Sequence, residues 1–125
     1  MNTVHNVLIS LGSNHNADAN MAMAQTSMRE KFSVIEFSRI LSTEPIGIDG
    51  PNFLNCLCRL HTPYSLERLQ LLTKQMEAEL GYSKQQRQQG HVSIDIDILS
   101  YDDCRLHVSD WQRPYIATLL ADFSL

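Results

Sequence analysis

Apolar positions recur along this chain in two rhythms, one near period two and one near period 3.6, and the two alternate in blocks. Val7 to Leu11 is a short apolar run stopped by Gly12, which predicts a buried strand. Met21, Ala24 and Met28 fall at helical spacing and predict a helix over Asp18 to Lys31, with Asn16 or Asp18 as N-cap. Ser33 to Leu41 is β-branched and aromatic enough for a strand, although its inward face is ambiguous. Thr43 to Asn52 carries two prolines and two glycines and predicts a loop. Phe53 to His61 alternates: Leu54, Cys56, Cys58 and Leu60 share one face, and Phe53, Asn55, Leu57 and Arg59 share the other.

The clearest helix runs from Ser65 to Leu80. Ser65 caps it, Leu66, Leu69, Leu72, Met76 and Leu80 make its apolar stripe, and Gly81 ends it. Tyr82 to His91 is polar and glutamine-rich and reads as a mobile loop. Val92 to Ser100 reads as a strand, and Trp111 to Phe123 as a short strand or helix. The order strand, helix, strand, strand, helix, strand is the split βαβ, or ferredoxin-like, arrangement. It predicts an α+β fold, with an antiparallel sheet carrying both helices on one face and a free opposite face for a ligand. One domain over residues 1–125 is expected, because the chain has 125 residues and no interior linker or repeat.

Composition removes several classes of partner. Apolar residues at 43% and charged residues at 19% mark an ordinary globular chain. A net charge of −4 gives no basic field for nucleic acid or an anionic membrane. No apolar run is long enough to cross a bilayer, and Met1 to Val7 lacks the order of a signal peptide, so a cytoplasmic protein is expected. Three cysteines, Cys56, Cys58 and Cys104, do not make a disulfide framework, and Cys56 and Cys58 read as small core side chains.

The segment Ser93-Ile94-Asp95-Ile96-Asp97-Ile98 carries the chemistry. In a strand the three isoleucines enter the core while Asp95 and Asp97 project together from the other face, with Cα atoms about 6.5–7 Å apart. Two carboxylates so placed repel unless a cation sits between them. Mg²⁺ accepts one or two carboxylates, waters and phosphate oxygens, and two metal ions can stabilise both ends of a phosphoryl transfer. Alone, D-x-D is also what a solvated strand face looks like.

Other segments make the pair specific. Leu8-Ile9-Ser10-Leu11-Gly12-Ser13-Asn14 resembles the first strand and G-S-N turn of the 6-hydroxymethyl-7,8-dihydropterin pyrophosphokinases. Thr43-Glu44-Pro45-Ile46-Gly47 and Pro51-Asn52-Phe53-Leu54-Asn55 resemble their pterin loop and third strand, and Glu77, Gly81 and Asp95-Ile96-Asp97 follow in order. The resemblance implies transfer of diphosphate from ATP to the pterin, giving AMP, in folate synthesis. It implies ATP as co-substrate and two Mg²⁺ ions on Asp95 and Asp97, which join Arg113 as catalytic residues. Thr43, Pro45, Phe53, Asn55 and Tyr115 would form the pterin site, with Phe53 and Tyr115 as aromatic walls and Asn55 at the ring edge. Glu77, Lys84, Arg87, Ile98 and Arg113 would face ATP. These residue types suit the reaction: a flat ring stacks on aromatic faces, and diphosphate transfer needs metals and cationic donors.

The chain departs from that pattern in places. Gln89 and Val92 stand where the family has a tryptophan and an arginine, and Ser109-Asp110 where it has Pro-His. Lys84 and Arg87 are the cations near the first gap, and His91 and His107 the histidines near the second. These losses open a second reading, a weakly active or non-catalytic relative that binds pterin or nucleotide.

Overall fold

The computed structural model describes residues 3–47 and 49–123, so the outermost ends of the expected domain lie outside the described residues. The elements are β1 (His5–Ser13), α1 (Ala17–Lys31), β2 (Val34–Phe37), β3 (Leu41–Thr43), β4 (Phe53–Thr62), α2 (Leu66–Glu79), α3 (Lys84–Gln88), β5 (Asp95–Tyr101), β6 (Cys104–Arg105) and α4 (Pro114–Leu120). The sheet runs β2-β4-β1-β5-β6, with β3 also on β4, and each of its pairings is antiparallel. This is the expected α+β, ferredoxin-like topology.

Alternation in the strands decides which side chains meet the helices. Val7, Ile9 and Leu11 of β1, Cys56, Cys58 and Leu60 of β4, and Ile96 and Ile98 of β5 lie on one face. They pack with Met21, Ala24 and Met28 of α1 and Leu69 and Met76 of α2 in the main core. Burial of this kind contributes about 1.5–3 kcal/mol per large side chain. The thiols are core groups, as expected: both cysteines are free and buried, and burial pushes Cys56 up to about 11 and Cys58 well above the ordinary thiol value. Ser65 caps α2 by accepting the Arg68 N–H at 3.1 Å, and Gly81 follows with φ 93°. Asn16 holds the N-cap position of α1 but makes no side-chain cap bond.

Four expectations need correction. The single strand Ser33–Leu41 is two strands, because Ser38 interrupts it: its hydroxyl accepts the Leu57 N–H while its own N–H donates to the Leu57 carbonyl, each at 2.8 Å. Residues 82–91 are not an irregular loop but hold α3, capped by Ser83, whose hydroxyl accepts the Gln86 N–H at 3.1 Å. Val92 to Ile94 are buried but precede the ladder, which starts at Asp95. The sheet's second face is not wholly free. Leu8, Leu57 and Leu99 form a second small core with Ile116 and Leu119 of α4 and with Phe123. A register shift makes this possible: Ile9 faces Ile98 and Leu8 faces Ser100, so Leu99 is an extra residue that turns to the other face.

Candidate functional site

Where α4 stops covering the second face, a polar recess opens over β1, β4 and β5. Register fixes its floor. Asn55, Gly12 and Asp95 lie on one rung across the three strands, and Leu57, Ser10 and Asp97 on the rung two residues away. Side chains two apart share a face, so the amide and both carboxylates point the same way. The recess is lined by Ser10, Gly12, Thr43, Glu44, Ile46, Phe53, Asn55, Arg87, Asp95, Asp97, Arg113 and Tyr115. Of the residues expected at a pterin or phosphate site, it gathers Thr43, Phe53, Asn55, Arg87, Asp95, Asp97, Arg113 and Tyr115.

Gly12 makes room for the amide. A Cβ there would stand 2.9 Å from Asn55 Oδ1 and 3.6 Å from the Phe53 ring. Asn55 is buried, and its Nδ2 donates to the Thr43 hydroxyl. That bond orients the amide and leaves its other donor and its carbonyl available at the ring edge of a flat heterocycle. Pro45 lies outside the polar recess, in an adjoining apolar hollow with Ile46, Pro114, Tyr115 and Thr118.

The carboxylates differ in surroundings. Asp95 Oδ2 accepts from Arg87 Nη1 at 2.8 Å, so α3 delivers a guanidinium to β5. That bond raises the Arg87 pKa, against a smaller opposing effect of burial. Asp97 makes no side-chain ion pair or hydrogen bond among the described residues. Burial first, and then the neighbouring Asp95, push its carboxyl above the usual range, while His107 and Lys74 pull it back. Two oxygen donors whose charge is incompletely balanced are a suitable pair for a hard divalent cation, so the residues fit Mg²⁺.

A second recess opens beside the first, between α2 and β5. It is about 500 Å³ and is lined by Gln70, Thr73, Lys74, Ile96, Asp97, Ile98, Leu106 and His107. Asp97 belongs to both recesses. Ile98, one of the residues expected to face ATP, lines this groove.

Two residues expected to face ATP, Glu77 and Lys84, line neither recess. Glu77 is 3% exposed. Its Oε2 accepts the Ile96 N–H at 2.8 Å, and Lys74 Nζ donates to its Oε1 at 3.4 Å. It therefore braces β5 against α2 and lines neither recess. Lys84 is exposed at the start of α3 and also lines neither. Of the histidines, His107 lines the groove, whereas His91 packs edge-on against His15, with ring centroids 5.2 Å apart.

Sequence reasoning missed Lys74, and it missed what Asn14 does, although it had named His107 beside the absent Pro-His. Asn14 ties the site's loops together: its Nδ2 donates to the Gly90 carbonyl at 2.8 Å and the Pro51 carbonyl at 3.2 Å, and its Oδ1 accepts the Val92 N–H at 2.6 Å. The loop around Gly50 touches Gly90 so closely that a Cβ on Gly50 would lie 2.4 Å from the Gly90 carbonyl oxygen. Asn14 was visible as part of the G-S-N turn, but nothing in its spacing announced the loops it joins.

The model of the 7,8-dihydro-6-hydroxymethylpterin-pyrophosphokinase family matches residues 8–124. The folic acid synthesis protein fol1 of Schizosaccharomyces pombe is 33% identical over 100 residues, covering 77% of this chain and 14% of fol1. This chain thus spans about a seventh of that relative's length. No helix among the described residues is long and apolar enough to cross a membrane. On a match that covers residues 8–124, the chain belongs to the 7,8-dihydro-6-hydroxymethylpterin-pyrophosphokinase family.

Proposed function

We propose that the protein transfers diphosphate from ATP to 6-hydroxymethyl-7,8-dihydropterin, releasing AMP, as a step of folate synthesis. The observation that carries this reading is the position of Asp97, which lines both recesses, so that ligands filling the two would meet at a carboxylate. The polar recess suits the pterin. Phe53 and Tyr115 offer ring faces on its walls, and the Asn55 amide, held by Thr43, offers a donor and an acceptor to the ring edge. The groove between α2 and β5 suits the nucleotide, with Ile96, Ile98 and Leu106 as its apolar surface.

In the reaction the pterin hydroxymethyl oxygen forms a bond to the β-phosphorus of ATP. The bond from that phosphorus to the α–β bridging oxygen breaks, AMP leaves with the oxygen, and the hydroxymethyl proton is released to water. Asp95 and Asp97 would hold Mg²⁺, which when bound neutralises phosphate charge as it develops. Arg87 and Arg113 line the recess on the side of the aspartates and would meet the transferred diphosphate. A guanidinium grips phosphate oxygens two at a time, which a lysine cannot. Arg87 thus supplies from α3 what is lacking at Val92, a residue buried in the interior.

Calorimetry tests the reading. Mg²⁺ should bind the free protein weakly and far more tightly beside a non-hydrolysable ATP analogue, because two carboxylates leave most of the octahedron to phosphate and water. Asp95→Ala and Asp97→Ala should abolish the tightening. Tightening that survives both substitutions would refute the metal assignment.

A further inference from the structure

We propose that His107 and Lys74 are the phosphate-holding pair of the groove between α2 and β5 in this chain, the imidazole and the ammonium each donating to the nucleotide's phosphate oxygens. The inference rests on reading that groove as the nucleotide site. It concerns which side chains of this sequence do the holding.

The first observation is availability. Four cationic or potentially cationic side chains stand near the aspartates. Arg87 is paired with Asp95 at 2.8 Å, and Arg113 Nη2 lies 3.2 Å from Asp110 Oδ1. Lys74 is different: among the described residues its one tie is a 3.4 Å contact to Glu77, and its side chain is 76% exposed. The His107 ring takes part in no hydrogen bond among the described residues, and it too is exposed. Both line the groove together with Asp97.

The second observation is placement from opposite walls. Lys74 stands on α2, and His107 stands between β6 and the 3-10 turn Val108–Gln112. Both side chains line the groove that also holds Asp97. An anion entering the groove would find donors from both sides and one carboxylate that a metal would neutralise.

The third observation is the backbone at His107. It is left-handed, φ 50° and ψ 52°, a conformation uncommon outside glycine and in which asparagine, aspartate and histidine are enriched. Neighbouring bonds hold it there: the Leu106 N–H donates to the Leu99 carbonyl and the Asp110 N–H to the His107 carbonyl, each at 2.8 Å. Asparagine or glycine would fit this turn with less strain. A ring-bearing residue kept in a fixed, strained position at a recess is the pattern expected of a binding group.

Affinity measurements decide the matter. The probes are a non-hydrolysable ATP analogue with Mg²⁺, adenosine, and the reduced hydroxymethylpterin, titrated against the full chain. His107→Asn keeps the left-handed turn and removes the imidazole. It should weaken the ATP analogue by roughly 10- to 150-fold, the cost of a hydrogen bond to a charged group. It should leave adenosine and pterin affinity unchanged. His107→Arg should restore most of the loss, and Lys74→Gln should reproduce it with the same indifference to adenosine. Equal losses for adenosine and the ATP analogue would overturn the proposal, since they would mean a merely structural role, as would unchanged affinity for both. A wild-type chain that binds neither nucleotide probe would remove the nucleotide reading of the groove and this inference with it. A wild-type chain that binds the ATP analogue while the variants bind it equally well would remove this inference alone.

Discussion

Replacing Asn14 by alanine removes three hydrogen bonds that hold β1 to two loops of the site. The Val92 N–H would lose its 2.6 Å acceptor, the Gly90 carbonyl its 2.8 Å donor and the Pro51 carbonyl its 3.2 Å donor. Val92 and Gly90 are buried, so water cannot readily replace the amide, whereas the exposed Pro51 carbonyl can hydrate. A buried donor left unsatisfied costs about 1–3 kcal/mol, and an ordinary hydrogen bond contributes about 0.5–1.5 kcal/mol net. Taking about 2 for Val92 and about 1 for Gly90 gives a loss of about 3 kcal/mol. For 125 residues the entropy of unfolding is about 0.26 kcal/mol/K, so the melting temperature should fall by about 10 °C. Thermal and urea unfolding, followed by circular dichroism, measure both quantities. Asn14→Asp is the informative control, because it keeps the acceptor for Val92 but turns a carboxylate oxygen toward the Gly90 carbonyl. It too should be less stable than wild type. A loss under about 1 kcal/mol for Asn14→Ala, or a stable Asn14→Asp, would refute the latch. Freed loops should also weaken pterin binding, since Thr43 and Phe53 flank the segment that touches Gly90.

Three further outcomes follow from the same geometry. Phe53→Ala should weaken pterin binding by the stacked ring's burial plus about 0.5–1.5 kcal/mol while leaving nucleotide affinity nearly unchanged; equal losses for both ligands in parallel titrations would place the slot elsewhere. Arg87→Ala frees Asp95 and should strengthen binding of Mg²⁺ alone while weakening the ATP analogue, which calorimetry reads as opposite changes in the two titrations. Glu77 is an acid raised in the folded state by burial, so its contribution to stability is greatest below the ordinary carboxylate range and is lost as pH rises through its folded value. Glu77→Gln keeps an acceptor for the Ile96 N–H and should therefore be more stable than wild type at neutral pH. The advantage should vanish in acid, and chemical denaturation at two pH values would expose an opposite trend.

Parts of the fold that depend on local pattern were legible in the sequence. Period-two alternation in β4 placed Cys56 and Cys58 in the core and Phe53 and Asn55 on the other face, and the same argument placed Asp95 and Asp97 opposite the isoleucines. The capped, striped helix α2 was equally readable, because Ser65, its five apolar positions and Gly81 agree with one another. What escaped depends on contacts between distant segments. The break between β2 and β3 exists because the Ser38 hydroxyl stands in for a backbone group opposite Leu57. Helix α3 has no apolar stripe, and Arg87–Asp95 and Asn14–Gly90 hold it from outside. The cover that α4 gives to the second face needed the extra residue Leu99, which simple alternation does not foresee. At the site, the resemblance pointed to Glu77 and Lys84. Burial turned the first into a brace, and exposure left the second outside both recesses. Lys74 and His107 carried no motif, and only the groove between α2 and β5 brings them together.

The central claim, that two ligands meet at Asp97 and exchange a diphosphate there, is tested most directly by product analysis. The full chain is incubated with ATP and Mg²⁺, with and without reduced hydroxymethylpterin, and AMP is measured beside the pyrophosphorylated pterin. The account predicts that AMP and the pterin product appear together in equal amounts, that neither forms without the pterin, and that Asp97→Ala forms neither. Formation of ADP in place of AMP, AMP release indifferent to the pterin, or no product from a chain that demonstrably binds both ligands would contradict it.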